Sequence, residues 1–250
     1  MGTFCELEKR GDIFFLTLTG EGDNDQHGLN PDAIEAVKAA LEKAKAEATR
    51  GSVLITTARG KFFSNGFDLA WAQAAGGSAT EFKERLLKMV ECFRFVVAEL
   101  MSFPMPTIAA VNGHAAAAGF ALAMYHDYVL MRGDRGSVMY MSELDIGMTF
   151  PDYFTALMRS KLGAGNRSTL RDVMLRATKL KAEDGVKLGI VESAHDGVEA
   201  AVEAAVRLAE ELGGWKWDGE VYGEIRKSLY PEICGALGLS SRAVYSPRRV

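Results

Sequence analysis

The most apolar long stretch of the chain, Ile108–Leu130, sets the first constraint on the fold. It contains Asn112 and Asp127, which would be costly to bury in lipid, so the stretch is predicted to be protein core rather than a membrane span. Two β-rich runs, Thr107–Val111 and Tyr128–Met131, flank a short helical pattern within it. A strand–helix–strand unit of this kind predicts an α/β fold with buried parallel strands.

The flanking sequence extends this alternation of strands and helices. Cys5–Glu8 and Ile13–Thr19 alternate in polarity around the Arg10-Gly11-Asp12 turn and predict a hairpin. Asn30 and Pro31 predict a helix start, as cap and first helical residue. Further patterns predict a strand at Ser52–Thr57 and helices at Thr80–Met101, Tyr153–Leu162 and Arg167–Arg176. From about Val198 the pattern is wholly helical, so residues 1–195 are predicted to form an α/β core and residues 196–250 a helical C-terminal region.

Composition narrows the range of partners. With 250 residues, of which 48% are hydrophobic, the chain can bury a full core. A net charge of -4 argues against nucleic acid or an anionic membrane as the main partner. The three cysteines, Cys5, Cys92 and Cys234, are far apart and form no CxxC pair, so we expect free thiols and no metal site. No secretory leader is expected at the N-terminus.

Two turns and one acidic residue indicate which chemistry the chain could perform. Phe62–Leu69 reads as a strand-to-helix turn with glycine at its bend, and Asn112–Gly119 is a run of small residues that leads into a helix. Backbone N–H groups at helix starts are unpaired and lie at the positive end of the helix dipole. Glu143 follows in Met141–Gly147. Free amide donors beside one carboxylate suggest enolate chemistry with a single acid/base.

Six motifs in order resemble the crotonase (enoyl-CoA hydratase/isomerase) superfamily over nearly the whole chain. They are Leu29-Asn30, Asn65–Leu69, Pro106–Gly113, Ala123–Asp127, Glu143–Gly147 and Ala182–Val191. Within the superfamily, Ser64–Trp71 and Ser228–Glu232 are most similar to plant peroxisomal Δ3,Δ2-enoyl-CoA isomerases.

The resemblance implies a ββα-spiral core, a C-terminal helical trimerisation region and a CoA thioester as substrate. CoA is then part of the substrate, no separate cofactor is expected, and the assembly is expected to be a homotrimer or a dimer of trimers. By position, the family's oxyanion hole falls on the backbone N–H groups of Phe67 and Ala118. The second turn is usually glycine-rich in the family; here alanines occupy 115–118, and they can donate provided their backbone has an ordinary φ.

The expected reaction depends on which of the family's two catalytic glutamate positions hold a carboxylate in this chain. Hydratases of the family use two glutamates, one to activate water and one to deliver a proton. The first would fall at Ala121, which cannot do so, and the second is Glu143. One carboxylate suits a double-bond shift, in which it takes a proton from C2 and returns it to C4. The resemblance therefore predicts Δ3,Δ2-enoyl-CoA isomerisation in fatty-acid β-oxidation, with a raised pKa for Glu143 if it sits in an apolar pocket.

Other polar and apolar residues are weaker candidates for substrate binding. His27 matches a position that is often lysine beside CoA in relatives. Asp152 lies near the place of an extra aspartate in dienoyl-CoA isomerases, but one residue later. Asp68 is predicted to cap the helix at Leu69 instead of touching substrate. The full candidate set for substrate contact is His27, Lys61, Ser64, Asn65, Gly66, Phe150 and Asp152.

Three alternatives stay open from the sequence. They are a weak hydratase, a dienoyl-CoA isomerase, and a non-catalytic crotonase-fold protein that binds RNA or a protein partner. The resemblance implies a peroxisomal location, yet the chain ends in Arg248-Arg249-Val250, which is not a Ser-Lys-Leu-type address, so a cytoplasmic location is the alternative. Ser240–Val250 is polar and basic and is predicted to be a mobile tail.

Overall fold

The structure is a computed structural model that describes residues 4–20, 26–74, 76, 78–162 and 167–246. Its strands are β1 (Cys5–Arg10), β2 (Ile13–Leu18), β3 (Val53–Ala58), β4 (Phe62–Ser64), β5 (Thr107–Val111), β6 (His114–Ala116), β7 (Tyr128–Arg132), β8 (Met139–Tyr140) and β9 (Ser193–His195). Its α-helices are α1 (Pro31–Ala46), α2 (Leu69–Gln73), α3 (Ala79–Met101), α4 (Ala118–Met124), α5 (Asp152–Leu162), α6 (Arg167–Arg176), α7 (Ala182–Lys187), α8 (Val198–Gly214), α9 (Gly219–Leu229) and α10 (Pro231–Ala236).

The main sheet of the fold has six strands in the order β1-β2-β3-β5-β7-β9. The predicted hairpin is confirmed, with β1 and β2 antiparallel around Gly11, and every other neighbouring pair in this sheet is parallel. The predicted start of α1 is also confirmed, because the Asn30 side chain accepts a hydrogen bond from the Ala33 N–H at 2.9 Å. The α/β class predicted from sequence is therefore confirmed.

Helices cover both faces of this sheet. Alternate residues of β3 serve the two faces: Leu54 packs into the larger core, while Val53 and Ile55 pack into a second cluster. Small buried alanines on α8, including Ala205 and Ala209, complete that second cluster. Because α8 closes one face of the core sheet, the region after residue 195 is packed against the α/β core.

A second sheet of three parallel strands, β4-β6-β8, was missed by the sequence analysis. Its strands are only two or three residues long, which is too short for period-2 alternation to be visible. The sheet places two turns side by side, since β4 leads to α2 and β6 leads to α4. It also places β8 immediately before Glu143. The small sheet therefore assembles the three segments that the sequence analysis had singled out separately.

A buried ion pair attaches α9 to the core. The Arg226 guanidinium donates to both carboxylate oxygens of Asp127 at 2.6 Å, and its side chain is 3% exposed. It also donates to the backbone carbonyls of Leu100, Phe103 and Met105 at the end of α3. Asp127 therefore has a structural role at the entrance to β7.

The predicted mobile tail, Ser240–Val250, makes contacts in the part that the structure describes. Arg242 donates its N–H to Glu224 at 2.8 Å and forms ion pairs with Glu220 and Glu224 of α9, and the Ser246 hydroxyl donates to Asp218 at 2.8 Å. Residues 247–250 lie outside the described part of the chain, and the mobility of the tail stays a prediction. Among the described helices, none is both long enough and apolar enough to cross a membrane.

Candidate active site

A cavity of about 930 Å³ lies where the small sheet, α3 and the segment after β8 meet. The two turns and Glu143 share its wall, although they are far apart in sequence. Its lining residues include Gln26, Gly28, Asn65, Gly66, Phe67, Asp68, Lys83, Leu86, Leu87, Val90, Ala117, Tyr140, Ser142, Glu143, Asp145, Ile146, Met148, Phe150 and Phe154.

Glu143 is a buried carboxylate at the cavity wall. The residue is only 3% exposed, and its Oε2 atom has no hydrogen-bond partner within the described part of the chain. The Met148 N–H donates to the Glu143 carbonyl at 2.8 Å and closes the turn that follows Glu143. This hydrogen bond holds the backbone of Glu143 in place. Burial, which disfavours the charged form, raises the pKa of Glu143 from its ordinary value of 4.5 to about 7. A carboxylate in this state is suited to accept and return a proton near neutral pH.

The first turn directs the Phe67 amide into the cavity. Gly66 and Asp68 bond to Leu29 from the same side of the chain: the Leu29 N–H donates to Gly66 O at 2.8 Å, and the Asp68 N–H donates to Leu29 O at 3.4 Å. Because successive backbone groups of an extended segment point to opposite sides, the N–H of Phe67 points away from Leu29. It has no acceptor among the described residues, and Phe67 lines the cavity.

The second turn has an unusual backbone. Ala117 precedes α4 with φ 49° and ψ −119°, a conformation in which glycine is strongly favoured. The condition of an ordinary φ, set above for the alanines at 115–118, is not met by Ala117. Its own N–H donates to Tyr140 O at 2.9 Å, whereas the N–H of Ala118, the first residue of α4, has no acceptor in the described chain. The turn leaves the Ala118 amide open at a helix start.

The two turns touch at Gly66. A Cβ at this position would lie 2.8 Å from the Ala116 carbonyl oxygen and 3.2 Å from the Ala118 nitrogen, and the φ of Gly66 is +84°. Glycine is therefore required both by the backbone conformation and by the approach of the second turn. This contact brings the Ala118 nitrogen close to Gly66, the residue before Phe67; Phe67 and Ala117 line the cavity, whereas Ala118 is buried behind them and is not among its lining residues.

The substitution Gly66→Ala is expected to separate the turns and lower both activity and stability. The methyl group would meet backbone atoms that cannot rotate away, and a left-handed alanine adds about 1–2 kcal/mol of strain. We expect a loss of more than 2 kcal/mol in the free energy of unfolding measured by urea titration. Gly136→Ala is the matched control, because Gly136 has φ +69° but nothing within 4 Å of its Cβ position. Equal losses in the two variants would show that only backbone strain matters.

The predicted substrate-binding residues divide into those that line the cavity and those that do not. Asn65, Gly66 and Phe150 line the cavity. Ser64 lies beneath it, where its buried hydroxyl donates to the His27 carbonyl at 2.8 Å and accepts from the Gly66 N–H at 3.2 Å, so its role is to shape the first turn. Asp68 caps α2, as predicted, by accepting from the Trp71 N–H at 2.8 Å.

Three other residues predicted as substrate contacts lie outside the cavity lining, and their role stays a prediction. The imidazole of His27 is buried against the Arg59 carbonyl at 2.6 Å and borders a separate small cavity of about 100 Å³. Lys61 lies over the Phe62 ring, 5.6 Å from its centroid. Asp152 accepts from Arg94 at 3.0 Å and from the Tyr153 N–H at 2.8 Å, with its side chain 63% exposed. Its position as the first residue of α5 explains why an acid is favourable there.

The cavity also has a wall that the sequence analysis did not identify as part of the site. Lys83, Leu86, Leu87 and Val90 on α3 all line it. Their i, i+3, i+4, i+7 spacing marks one face of a helix, but such a spacing does not distinguish a cavity wall from ordinary core. Tyr140 and Asp145 are further lining residues that were not predicted as substrate contacts. Within the described ranges, no group of three or more histidine, cysteine or acidic side chains could hold a metal ion.

The two sheets, the two adjoining turns and the buried acid define a crotonase-type protein. The chain belongs to the enoyl-CoA hydratase/isomerase family, whose model matches residues 23–214. It is 58% identical over 245 residues to the peroxisomal enoyl-CoA delta isomerase 2 of Arabidopsis thaliana, covering 98% of this chain and 99% of that one. It is 57% identical to enoyl-CoA delta isomerase 3 of the same plant, covering 95% and 96%.

Solved structures support the fold. The apo structure of the enoyl-CoA isomerase of Mycobacterium tuberculosis matches with a TM-score of 0.80 at 22% sequence identity, covering 95% of this chain and 96% of that one. An enoyl-CoA hydratase/isomerase family protein from Pseudomonas syringae matches with a TM-score of 0.78 at 23% identity, covering 94% and 95%. At this level of identity the likeness concerns the fold, and it agrees with the crotonase-type fold expected from the sequence.

Proposed function

We propose that this protein is a Δ3,Δ2-enoyl-CoA isomerase, which converts a 3-enoyl-CoA into the conjugated trans-2-enoyl-CoA. The observation that carries the proposal is the buried carboxylate of Glu143, which lacks a protein partner within the described chain and shares a cavity wall with the turn that opens the Phe67 amide. The similarity to enoyl-CoA delta isomerases 2 and 3 of Arabidopsis thaliana supports the same reaction.

The mechanism follows from where charge develops. In the proposal, the thioester oxygen accepts hydrogen bonds from the Phe67 and Ala118 N–H groups, and Glu143 removes a proton from C2. The electron pair of that C–H bond moves into the thioester, giving a dienolate whose negative oxygen is stabilised by the two amides; one such donor is typically worth roughly 3 kcal/mol. Glu143 then returns the proton to C4, and the double bond is left between C2 and C3. No atom is gained or lost.

Hydration is disfavoured because residue 121 is an alanine and the cavity offers no second suitable acid/base among the residues that the structure describes. Adding water needs a second acid/base, and Ala121 is fully buried in the core on α4. The two other carboxylates that line the cavity are placed differently: Asp68 is engaged in capping α2, and Asp145 is exposed. Asp152, the candidate of the dienoyl alternative, is paired with Arg94 away from the cavity. One acid/base therefore remains for the chemistry.

Assembly and location complete the proposal. We infer a homotrimer or a dimer of trimers built through residues 196–250, and an acyl-CoA as the binding partner. A peroxisomal location is supported by enoyl-CoA delta isomerase 2 of Arabidopsis thaliana, whose name calls that protein peroxisomal.

A conjugation assay tests the proposed reaction. Purified protein is mixed with a 3-enoyl-CoA, and the rise in ultraviolet absorbance of the conjugated thioester is followed. A parallel assay supplies a trans-2-enoyl-CoA and follows the loss of that absorbance, which reports hydration. Fast conjugation with little hydration supports isomerase function. Rapid hydration would identify a hydratase, and inactivity in both assays would favour a binding role.

The pH dependence of kcat/KM should report the titration of Glu143. The base must be ionised to accept the C2 proton, so we expect kcat/KM to be constant above pH 8 and to fall about tenfold per pH unit below about 7. A glutamate with an ordinary pKa would keep full activity down to about pH 5. The matched control is Asp145→Asn, which removes the neighbouring carboxylate of the cavity wall and should leave the inflection unchanged.

A further inference from the structure

Arg94 lies where the helices α3, α5 and α10 meet. Its guanidinium donates to the Ala236 carbonyl, at the end of α10, at 2.5 Å and to the Asp152 carboxylate, at the start of α5, at 3.0 Å. It also packs over the Tyr153 ring, 4.9 Å from the ring centroid. Glu91, one turn earlier on α3, places a second carboxylate 3.5 Å from the guanidinium. One side chain of α3 therefore contacts two further helices.

Two more contacts hold the first turn of α5 to the same part of α3. The Tyr153 hydroxyl donates to the Val90 carbonyl at 2.8 Å. The Phe154 ring meets the Phe93 ring edge-on, with the centroids 6.0 Å apart. Tyr153 and Phe154 are buried, whereas 26% of the Arg94 side chain is exposed, so Arg94 contacts this turn nearer the protein surface.

The contact between α3 and α5 borders the active-site cavity. Val90 on α3 and Phe154 on α5 both line the cavity. Residues 145–151, which connect Glu143 to the start of α5, also line it, and we call them the connecting wall. Because Asp152 directly follows this wall, a displacement of α5 from α3 would move the wall and give water a path to Glu143.

We propose that Arg94 is a positioning residue for the reaction, which joins α3, α5 and α10, holds the connecting wall in place and thereby keeps water away from Glu143. The inference deepens the proposed function and rests on it for the role of Glu143 as acid/base. Arg94 does not line the cavity, so it acts through the wall. Its ion pair with Asp152 alone is too weak for this role, because the Asp152 side chain is 63% exposed. The planar guanidinium matters because it reaches acceptors on two helices at once.

The titration of Glu143 reports whether water reaches its carboxylate. Burial raises the pKa of Glu143 to about 7, and a hydrogen bond with its own backbone opposes the rise. The charge of Arg94 does not contribute to this shift, so removing that charge alters the pKa only if the wall moves. Water at the carboxylate favours the charged form and returns the pKa towards its ordinary value of 4.5. A contact that contributes only to stability would leave the pKa unchanged.

The test compares the pH dependence of kcat/KM in wild type, Arg94→Met and Arg159→Met. Methionine at 94 cannot donate to either helix, so we expect the inflection to fall by at least about one pH unit. We also expect kcat at pH 8 to fall about three- to tenfold, because a weaker base removes a proton more slowly. Arg159 is the matched control, since it is 61% exposed and pairs α5 with α10 through Glu232 at 3.1 Å. Its replacement should leave the inflection unchanged.

A second measurement follows Glu143 without any substrate. The infrared band of its protonated carboxyl group is obtained as the difference between each protein and the same protein carrying Glu143→Gln. Its midpoint should lie near pH 7 in wild type and at lower pH in Arg94→Met. If wild type does not isomerise but the midpoint shifts in this way, the positioning role stands and the proposed reaction is wrong. If wild type isomerises and the midpoint does not shift, the reaction stands and the positioning role is wrong.

Two further results would overturn the role of Arg94. One is an equal shift in Arg159→Met, which would mean that any loosening of α5 has the same effect. The other is a wild-type inflection in Arg94→Lys, which also carries the test if Arg94→Met does not fold. The lysine ammonium is a single point donor and cannot replace a planar guanidinium at two acceptors. An unchanged inflection in that variant would therefore show that bridging the helices is not required.

Discussion

Replacing Glu143 with glutamine is expected to lower kcat for isomerisation by about 10²–10⁴-fold, the range that a positioned general acid/base contributes. Glutamine keeps the shape of the side chain but cannot take a proton from C2 or return one to C4. The oxyanion amides of Phe67 and Ala118 belong to the backbone and should be unaffected. Binding of a saturated acyl-CoA, measured by calorimetry, is therefore expected to change by less than about fivefold.

The same substitution should change how stability depends on pH. The folded protein holds the proton of Glu143 up to about pH 7, whereas the unfolded chain releases it near 4.5. Between these values the folded state binds more protons, so wild-type stability falls as pH rises. This difference between the folded and unfolded pKa lowers the free energy of unfolding of wild type by about 3 kcal/mol above pH 7 and has no effect below pH 4. Glu143→Gln lacks this penalty.

Urea unfolding of wild type and Glu143→Gln at pH 5 and pH 8 measures the effect. The variant should gain stability relative to wild type on going to pH 8, whereas Asp145→Asn, at an exposed carboxylate in the same segment, should not. A variant that loses activity but shows no relative gain at pH 8 would mean that Glu143 is solvated in solution. A variant that retains kcat would place the base at another residue.

Replacing Arg226 with methionine is expected to lower the free energy of unfolding by about 3–5 kcal/mol. Methionine fills a similar space but leaves the Asp127 carboxylate buried without its cation, and it leaves three backbone carbonyls at the end of α3 and just beyond it without their donor. Burial would raise the pKa of Asp127, but the charge and hydrogen bonds of Arg226, the Lys161 charge and the hydrogen bond from the Thr107 N–H together outweigh it and hold that pKa below its usual range. The pair therefore stabilises the folded state most above the ordinary pKa of aspartate.

Two controls identify the source of this loss. Arg226→Met combined with Asp127→Asn removes the uncompensated charge and should recover about 1–3 kcal/mol relative to Arg226→Met alone. Arg171→Met removes an exposed ion pair with Asp172, and we expect a change of less than about 1 kcal/mol. Equal losses in the single and double variants would mean that the unpaired carbonyls, rather than the carboxylate charge, dominate the cost.

Local sequence patterns predicted the long elements well because each carries its own signal. The Asn30-Pro31 start of α1, the Gly11 hairpin and the limits of β5 and α6 agree with the structure. These signals are a capping side chain, a positive-φ glycine and apolar periodicity, and each acts within a few residues. The small sheet has no such signal, since β8 comprises only Met139 and Tyr140. Its strands exist because neighbouring strands supply their hydrogen bonds.

The same contrast between local signals and tertiary packing applies to the candidate site residues. The motif around Glu143 and the Asn65–Leu69 turn pointed to parts of the cavity wall, because short segments with special backbone or charge requirements are visible in a sequence. His27, Lys61 and Asp152 lie in similarly suggestive places, but their side chains do not line the cavity. The direction in which a side chain points depends on the packing of its element, and a sequence motif does not specify it.

The sequence by itself determined the α/β class, most helix and strand positions, the family resemblance and a single acid at the expected place, because these depend on local propensity and residue identity. The tertiary structure decided what surrounds that acid. Packing buried Glu143 and raised its pKa, brought Gly66 against the 116–118 turn, and placed Leu86 and Val90 of α3 in the cavity wall. Burial and proximity arise from segments distant in the chain, and only the folded arrangement sets them.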